Sequence, residues 1–332
     1  MSLSDTHAQL GTKDLLTCDQ LDRGDVEILF DTARALKGDP GAGHGLLEGR
    51  AVVLLFEKAS LRTRLSFEVG VARLGGHAVY VDHQAQRLGE RESLRDYARN
   101  LERWVDAIVA RVHAHATVAT LAREARIPVV NGLSDLEHPC QALADYLTLL
   151  EHRRGAGSGG VDGLRGARLA YVGDGNNVCH SLLVLGSILG VSVTAITPPS
   201  YEPDAAVVAR SRALAAESGA VVEVAHDPAR VVGHHAVYTD TWVSMGEEAE
   251  TRTRLEAFAG YQVTPALMAL AGPGAVFMHC LPAKRGREVA DGVIDGAMSV
   301  VYDQAENRMH VQNALLVHLL AGRGAPGGPG KG

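Results

Sequence analysis

The sequence predicts an α/β protein of two lobes, each a mostly parallel sheet flanked by helices. Three observations carry this expectation. Short unbroken apolar runs recur along the chain, the pattern of strands buried on both faces. Between them lie segments with apolar residues at helical spacing, so strand and helix alternate. A glycine- and serine-rich stretch at residues 155–160 interrupts the alternation, which restarts beyond it. The 332-residue length fits two domains of ordinary size.

Residues 21–37 show helical spacing through Val26, Leu29, Phe30, Ala33 and Leu36, and stop at Gly38. Residues 51–56 read as a buried strand. Ser60 opens a helical pattern through Phe67, Val69, Val71 and Leu74 that Gly75 and Gly76 end. Strands follow at 77–81, 107–110 and 129–130, with helices at 94–104, 118–125 and 141–152. Beyond the joint, strands are expected at 167–172, 191–196, 221–224, 236–238, 275–279 and 299–301. Helices are expected there at 178–189, 205–218 and 312–320. The expected division is residues 1–152, joined by a C-terminal helix at 310–321, and residues 161–309, with 322–332 a disordered Gly/Pro-rich tail. Two lobes flanking a joint make an interlobe cleft, where a small-molecule active site is expected.

Charge narrows the function. Thirty-nine acids against 32 bases give a net charge of −7, with no Lys/Arg-rich stripe, which argues against a nucleic-acid partner. Cys18, Cys140, Cys179 and Cys280 form no close pair, so a disulfide framework is not expected and a reducing cytoplasm is. The first twenty residues lack the apolar core of a signal peptide. Residues 176–201 carry no Asp, Glu, Lys or Arg, but hydroxyls and Pro198-Pro199 divide them into a helix and a strand, not a membrane span.

The sharpest chemistry lies at Ser60-Leu61-Arg62-Thr63-Arg64, where a buried strand feeds a helix start. First-turn N–H groups at the positive end of a helix favour an anion, hydroxyls add donors, and guanidinium forks match phosphate. No glycine arc or GK[ST] is present, so a nucleotide triphosphate is not expected. His138-Pro139-Cys140-Gln141 precedes a helix and offers donors to a carbonyl or acceptors to an amide, or only a helix cap. Gly173-Asp174-Gly175-Asn176-Asn177 sits at a strand end like a dinucleotide turn. It lacks the third glycine, and no acid closes the next strand, which leaves a smaller ligand. Asp240 at a strand tip suits an ammonium, and Ser244-Met245-Gly246 after it reads as a mobile lid or a plain loop. Cys280 is a nucleophile, a proton acceptor or a buried thiol; Arg111 ends a strand, and Arg308 precedes the last helix. His113 with His115, and His234 with His235, lack a third ligand at metal spacing, so no metal and no cofactor are expected.

Together these segments resemble the aspartate/ornithine carbamoyltransferase family, its ornithine branch most closely. Ser60 to Arg64 fits the phosphate motif SxRTR. HPCQ at 138–141, GDGNN at 173–177, DTWVSMG at 240–246, HCLP at 279–282 and ENR at 306–308 follow in the family's order. The likeness spans residues 15–320. It implies transfer of a carbamoyl group from carbamoyl phosphate to the side-chain amine of ornithine, giving citrulline and phosphate in cytoplasmic arginine biosynthesis, a urea cycle-type reaction. Putrescine and N-acetylornithine remain alternative acceptors.

The same resemblance implies the site. Ser60, Leu61, Arg62, Thr63 and Arg111 hold the phosphate. His138, Gln141, Arg111 and Arg308 hold the carbamoyl group, and Pro139, Cys140, Cys280 and Leu281 complete the donor site. Asn177 takes the carboxylate end of the acceptor, Asp240 its α-ammonium, and Ser244 and Met245 close over it. Cys280 accepts the proton, as a thiolate beside Arg308 and Arg62. Gln86 matches a loop reaching into a neighbouring subunit, which implies a homotrimer or a multiple of trimers. Leu61 departs from the threonine many members carry, at a modest expected cost in affinity.

Overall fold

The structure is a computed structural model that describes residues 10–153, 160–243 and 248–320. Ser244, Met245, residues 155–159 of the glycine- and serine-rich stretch, and the expected tail at 322–332 lie outside the described residues. The elements run α1 (Arg23–Gly38), β1 (Ala51–Phe56), α2 (Leu61–Arg73), β2 (His77–Asp82), α3 (Leu94–Leu101), β3 (Ala107–Arg111), α4 (His115–Glu124), β4 (Val129–Leu133) and α5 (Pro139–His152). They continue with β5 (Arg168–Val172), α6 (Asn177–Leu189), β6 (Ser192–Ile196), α7 (Ala205–Ser218), β7 (Val222–Ala225) and β8 (Ala236–Thr239). The last are α8 (Thr251–Ala257), α9 (Pro265–Ala271), β9 (Val276–His279), α10 (Asp291–Ile294) and α11 (Val301–Leu320).

The chain divides into two compact units, one up to Cys140 and from Arg308 onward, the other Gln141–Asn307. The divisions fall inside α5 and α11.

The first unit holds a parallel sheet in the order β2-β1-β3-β4. Its apolar strands are buried because helices cover them: Val53 and Leu55 of β1 pack with Ile108, Leu101, Val118 and Leu121. Strand β2 is the edge and alternates exposed with half-buried side chains. From β1 the chain crosses outward to β2 and then back to β3, so strand order reverses between β1 and β3. In open α/β sheets that reversal, at the carboxyl ends of the strands, is where ligands bind. Here it places the start of α2 and Arg111 side by side in the fold.

The second unit repeats the plan with the parallel order β7-β6-β5-β8-β9, reversing between β5 and β8. The turn after β5 and the residue after β8, Asp240, occupy that point. Its core closes around Phe258, which stacks on Trp242 at 5.7 Å between ring centres and meets Tyr201 edge-on at 4.8 Å.

The structure corrects several element expectations. No strand spans 299–301: Ser299 forms an isolated bridge to Phe277, and α11 begins two residues later. That helix starts at Val301 and not at 312, because its first half carries polar side chains that are buried and hydrogen-bonded, which hides its apolar period. Asn307, for example, donates to Thr148 (2.9 Å) and Glu151 (2.8 Å). The helix expected to reach Trp104 ends at Leu101. Helices α9 and α10 are additions to the expected elements, each being too short to show a period.

Candidate active site

In the first unit, Ser60 caps α2. Its backbone is extended, its Oγ accepts from the Thr63 N–H (3.2 Å) and its hydroxyl donates to Thr63 Oγ1 (3.1 Å). Thr63 is fully buried, and its Oγ1 also accepts from Arg308 Nη2 at 2.9 Å. Arg308, Arg111 and His138 are all buried. Burial drives the His138 pKa well below the usual histidine value, and the nearby Arg308 and Arg111 guanidiniums push it the same way. The imidazole is therefore neutral near pH 7 and offers one N–H donor. Thr63, Arg308, Arg111 and His138 are thus gathered on one helix start, with half-buried Arg62 in the same first turn.

Other expected residues fall differently. The Leu61 side chain is 70% exposed, so what it offers an anion there is its backbone N–H. Arg64 donates to Glu68 (3.0 Å) and lies 4.0 Å over the Tyr80 ring, so that guanidinium serves the helix surface. Gln86 is exposed in the loop between β2 and α3, where its carbonyl oxygen lies 3.2 Å from His83 Nδ1. Pro139 and Cys140 begin α5. Burial raises the Cys140 thiol to about 12, and its sulfur faces the Asn131 carbonyl at 3.9 Å, so it is no nucleophile.

One residue the sequence reading passed over braces this half. The buried Glu57, directly after β1, accepts from the N–H groups of Leu88 (2.9 Å) and His113 (2.8 Å). It ties the turn before α2 to the Gln86 loop and to the segment following Arg111. An acid ending an apolar run was its only signal.

In the second unit, Asp240 is buried, and the thiol of Cys280 donates to its Oδ1 at 3.0 Å. Thr241 N–H also donates to that oxygen (2.7 Å), and Asn176 Nδ2 donates to Oδ2 (2.9 Å). Asn176 caps α6 as well, its Oδ1 accepting from the N–H groups of Val178 and Cys179. Asn177, which the resemblance implies for the acceptor, sits half-buried in the first helical turn, and its neighbour Asn176 aims the carboxylate, a role the motif alone does not show. Leu281 follows in the left-handed region (φ 57°), its N–H donating to His279 Nδ1 at 2.8 Å.

The GDGNN turn has its own logic. A Cβ on Gly175 would lie 2.2 Å from the Pro203 nitrogen, so this glycine permits close backbone packing instead of a pyrophosphate. Asp174 pairs with the buried Arg254 (2.9 Å), which also donates to the Trp242 carbonyl (3.1 Å) and so anchors the segment after Asp240. Gln141, in α5, donates through Nε2 to Asp145 Oδ1 at 2.7 Å.

Among the described residues, the ligand atoms of Asp240, His279 and Cys280 lie within 4.8 Å of one another and are the group most able to hold a metal ion. They are already engaged: the thiol on Asp240, and His279 between the Leu281 N–H and Glu288 Oε1 (3.4 Å). His115 Nδ1 lies 3.0 Å from Ser134 Oγ and His234 Nε2 lies 3.1 Å from Thr194 Oγ1, both structural bonds.

Residues 13–151 match the model of the aspartate/ornithine carbamoyltransferase carbamoyl-P binding domain. Residues 165–319 match that of the Asp/Orn binding domain. A relative from Shewanella oneidensis named ornithine carbamoyltransferase is 48% identical over 309 residues, covering 93% of this chain and 100% of that one. A Pyrococcus horikoshii protein of the same name is 48% identical over 313 residues, 93% of this chain and 96% of its own. The structure of ornithine carbamoyltransferase from Pyrococcus furiosus superposes with a TM-score of 0.88 at 46% identity, covering 96% of this chain and 100% of that chain. The Thermus thermophilus enzyme of that name gives 0.82 at 44%, covering 93% and 99%. With both halves matched in order, and helix caps and strand tips where that chemistry needs them, this chain belongs to the aspartate/ornithine carbamoyltransferase family.

Proposed function

We propose that the chain moves the carbamoyl group of carbamoyl phosphate onto the side-chain amine of L-ornithine, releasing L-citrulline and phosphate. It is a carbamoyltransferase, and its relatives' names favour ornithine over putrescine or N-acetylornithine as acceptor. The observation that carries the donor half is the capped start of α2, where buried Thr63 is bonded to Arg308 and a neutral His138 sits among guanidiniums.

In this reading the phosphate lies on the first turn of α2, held by Ser60, Leu61 N–H, Arg62 and Thr63, with Arg111 alongside. As the C–O bond breaks, negative charge grows on the phosphate, so fixed cations there favour the transition state over the ground state. Neutral His138 donates its N–H to the carbamoyl oxygen with Arg111 and Arg308. Gln141 meets the carbamoyl amide, and Pro139, Cys140 and Leu281 fill out the donor pocket through shape and backbone. The attacking nitrogen must be uncharged, whereas a free side-chain amine titrates near about 10.4. Desolvation lowers that value, and as the C–N bond forms the Cys280 sulfur takes the amine proton while its own thiol proton passes to Asp240 Oδ1. Asp240, aimed by Asn176, holds the α-ammonium, Asn177 the carboxylate end, and Ser244 and Met245 complete the acceptor pocket.

The acceptor is tested by following carbamoyl phosphate turnover with ornithine, putrescine and N-acetylornithine in parallel. Citrulline formation should exceed either alternative product by at least about 10²-fold in kcat/KM, because losing a charged, hydrogen-bonded contact costs on this scale. Equal rates with putrescine, which lacks the carboxylate, would remove Asn177 from its assigned role, and equal rates with N-acetylornithine, whose α-nitrogen carries no charge, would remove Asp240 from its own.

We also propose a trimer in which exposed Gln86 enters a neighbour's site. Leu61, Leu65 and Val69, at successive helical turns of α2, are 70%, 46% and 41% exposed, an apolar stripe that suits burial by another copy. Leu65→Glu should convert the trimer to monomers in sedimentation velocity at micromolar protein. An unchanged mass would place the interface elsewhere. Among the described residues no helix is long and apolar enough to cross a membrane, and we place the reaction in cytoplasmic arginine biosynthesis. A Pyrococcus furiosus relative, 47% identical, carries the word anabolic in its name.

A further inference from the structure

Inside the second unit, four buried groups form one chain of hydrogen bonds. Gln141 Nε2 donates to Asp145 Oδ1 at 2.7 Å, one helical turn along α5. Gln304 Nε2, from α11, donates to the same oxygen at 2.8 Å. Gln304 Oε1 accepts from the backbone N–H of His279, at the end of β9, at 2.9 Å. Gln141, Asp145, Gln304 and His279 are each at most 1% exposed.

The polarity of this chain follows from what each group can do. A backbone N–H only donates, so Gln304 must turn its oxygen to His279 and its NH2 away. That NH2 needs an acceptor, and it finds one in Asp145 Oδ1. The same carboxylate then forces Gln141 to present its NH2, which leaves Oε1 as the amide's outward group. Gln141 Oε1 is buried and, among the described residues, makes no hydrogen bond. A buried acceptor of this kind calls for a donor.

We infer that Asp145 is a positioning residue that locks the Gln141 amide with its oxygen toward the substrate, so that the enzyme reads the NH2 of the carbamoyl group and rejects acyl phosphates lacking it. The inference rests on the reading that Gln141 meets the carbamoyl amide. Acetyl phosphate has nearly the same shape, with a methyl group in place of NH2. It would leave Oε1 buried and unmet, and a site built to bond a donor discriminates strongly against such an analogue. Through Gln304, the lock is also fastened to the strand end that carries Cys280.

The test uses two stable donor mimics, phosphonoacetamide and its methyl ketone (2-oxopropyl)phosphonate, titrated by calorimetry against the full chain, with inorganic phosphate as control. The wild type should bind the amide roughly tenfold more tightly than the ketone, the scale of one buried hydrogen bond. Asp145→Leu, similar in size but unable to accept, lets the Gln141 amide turn. The preference should fall to about twofold or less, while phosphate affinity is unchanged. Should Asp145→Leu fail to fold, Asp145→Asn keeps the shape but can donate to Gln141 as well as accept from it, so the amide is no longer held one way round and the preference should fall to about threefold. A folded Asp145→Leu or Asp145→Asn protein that keeps the full amide preference overturns the inference. The underlying reading fails separately: equal wild-type affinities for the two mimics would remove Gln141 from the carbamoyl group, whatever Asp145 does.

Discussion

Arg62→Ala should abolish useful turnover, lowering kcat by about 10³-fold or more, as expected when a cation that meets developing phosphate charge is removed. The structural reason is local. Arg62 stands in the first turn of α2, one residue before Thr63, whose hydroxyl already receives Arg308. Alanine leaves the Ser60 cap intact, because that cap is made to the Thr63 N–H. Folding should therefore survive, and the loss should appear in chemistry. Arg62→Lys should recover only part of the rate, since an ammonium cannot reproduce a two-pronged contact to phosphate. Initial-rate assays of phosphate release, with thermal melts as a folding control, check this. Near-normal release by Arg62→Ala would put the anion elsewhere.

Asp240→Asn should strike the other substrate. It removes the charge assigned to the ornithine α-ammonium and disturbs a carboxylate held from three sides, by Asn176, by the Thr241 N–H and by the Cys280 thiol. Hydrogen bonds to charged groups contribute about 1.5–3 kcal/mol. The ornithine KM should rise by roughly 10–10²-fold on that count alone. Rate falls further because Cys280 loses the partner through which it handles the proton. The carbamoyl phosphate KM should change by less than about threefold. Steady-state kinetics with each substrate varied in turn separates the two. Equal rises in both KM values would mean that Asp240 supports the fold and not the acceptor.

The residues that announced themselves in the sequence are those at strand tips and helix starts. Ser60 to Thr63 follow an unbroken apolar strand, Asp240 follows another, and His138 opens a helix, so alternation alone placed them where ligands bind. What stayed hidden acts through tertiary contacts. Asp145 lies in a helix rich in apolar residues and meets Gln304 across 159 residues of sequence. Glu57 stands beside one motif and Asn176 within another, and each looks like its neighbours, yet Glu57 does the bracing and Asn176 the aiming. Arg254 sits on a short helix with no visible period and reaches back to Asp174. The first half of α11 escaped notice for the same reason: its buried face is polar and paired.

The most direct measurement is the affinity of a single compound that joins a phosphonate to ornithine. Linking two bound halves turns the second binding event into an internal one and raises affinity by roughly 10²–10⁴-fold when geometry allows both to engage. Calorimetry should find the joined compound tighter than carbamoyl phosphate or ornithine alone by that margin, with Arg62→Ala and Asp240→Asn each erasing most of the gain. A joined compound that binds no better than its stronger half, or whose affinity is indifferent to both substitutions, would contradict the account.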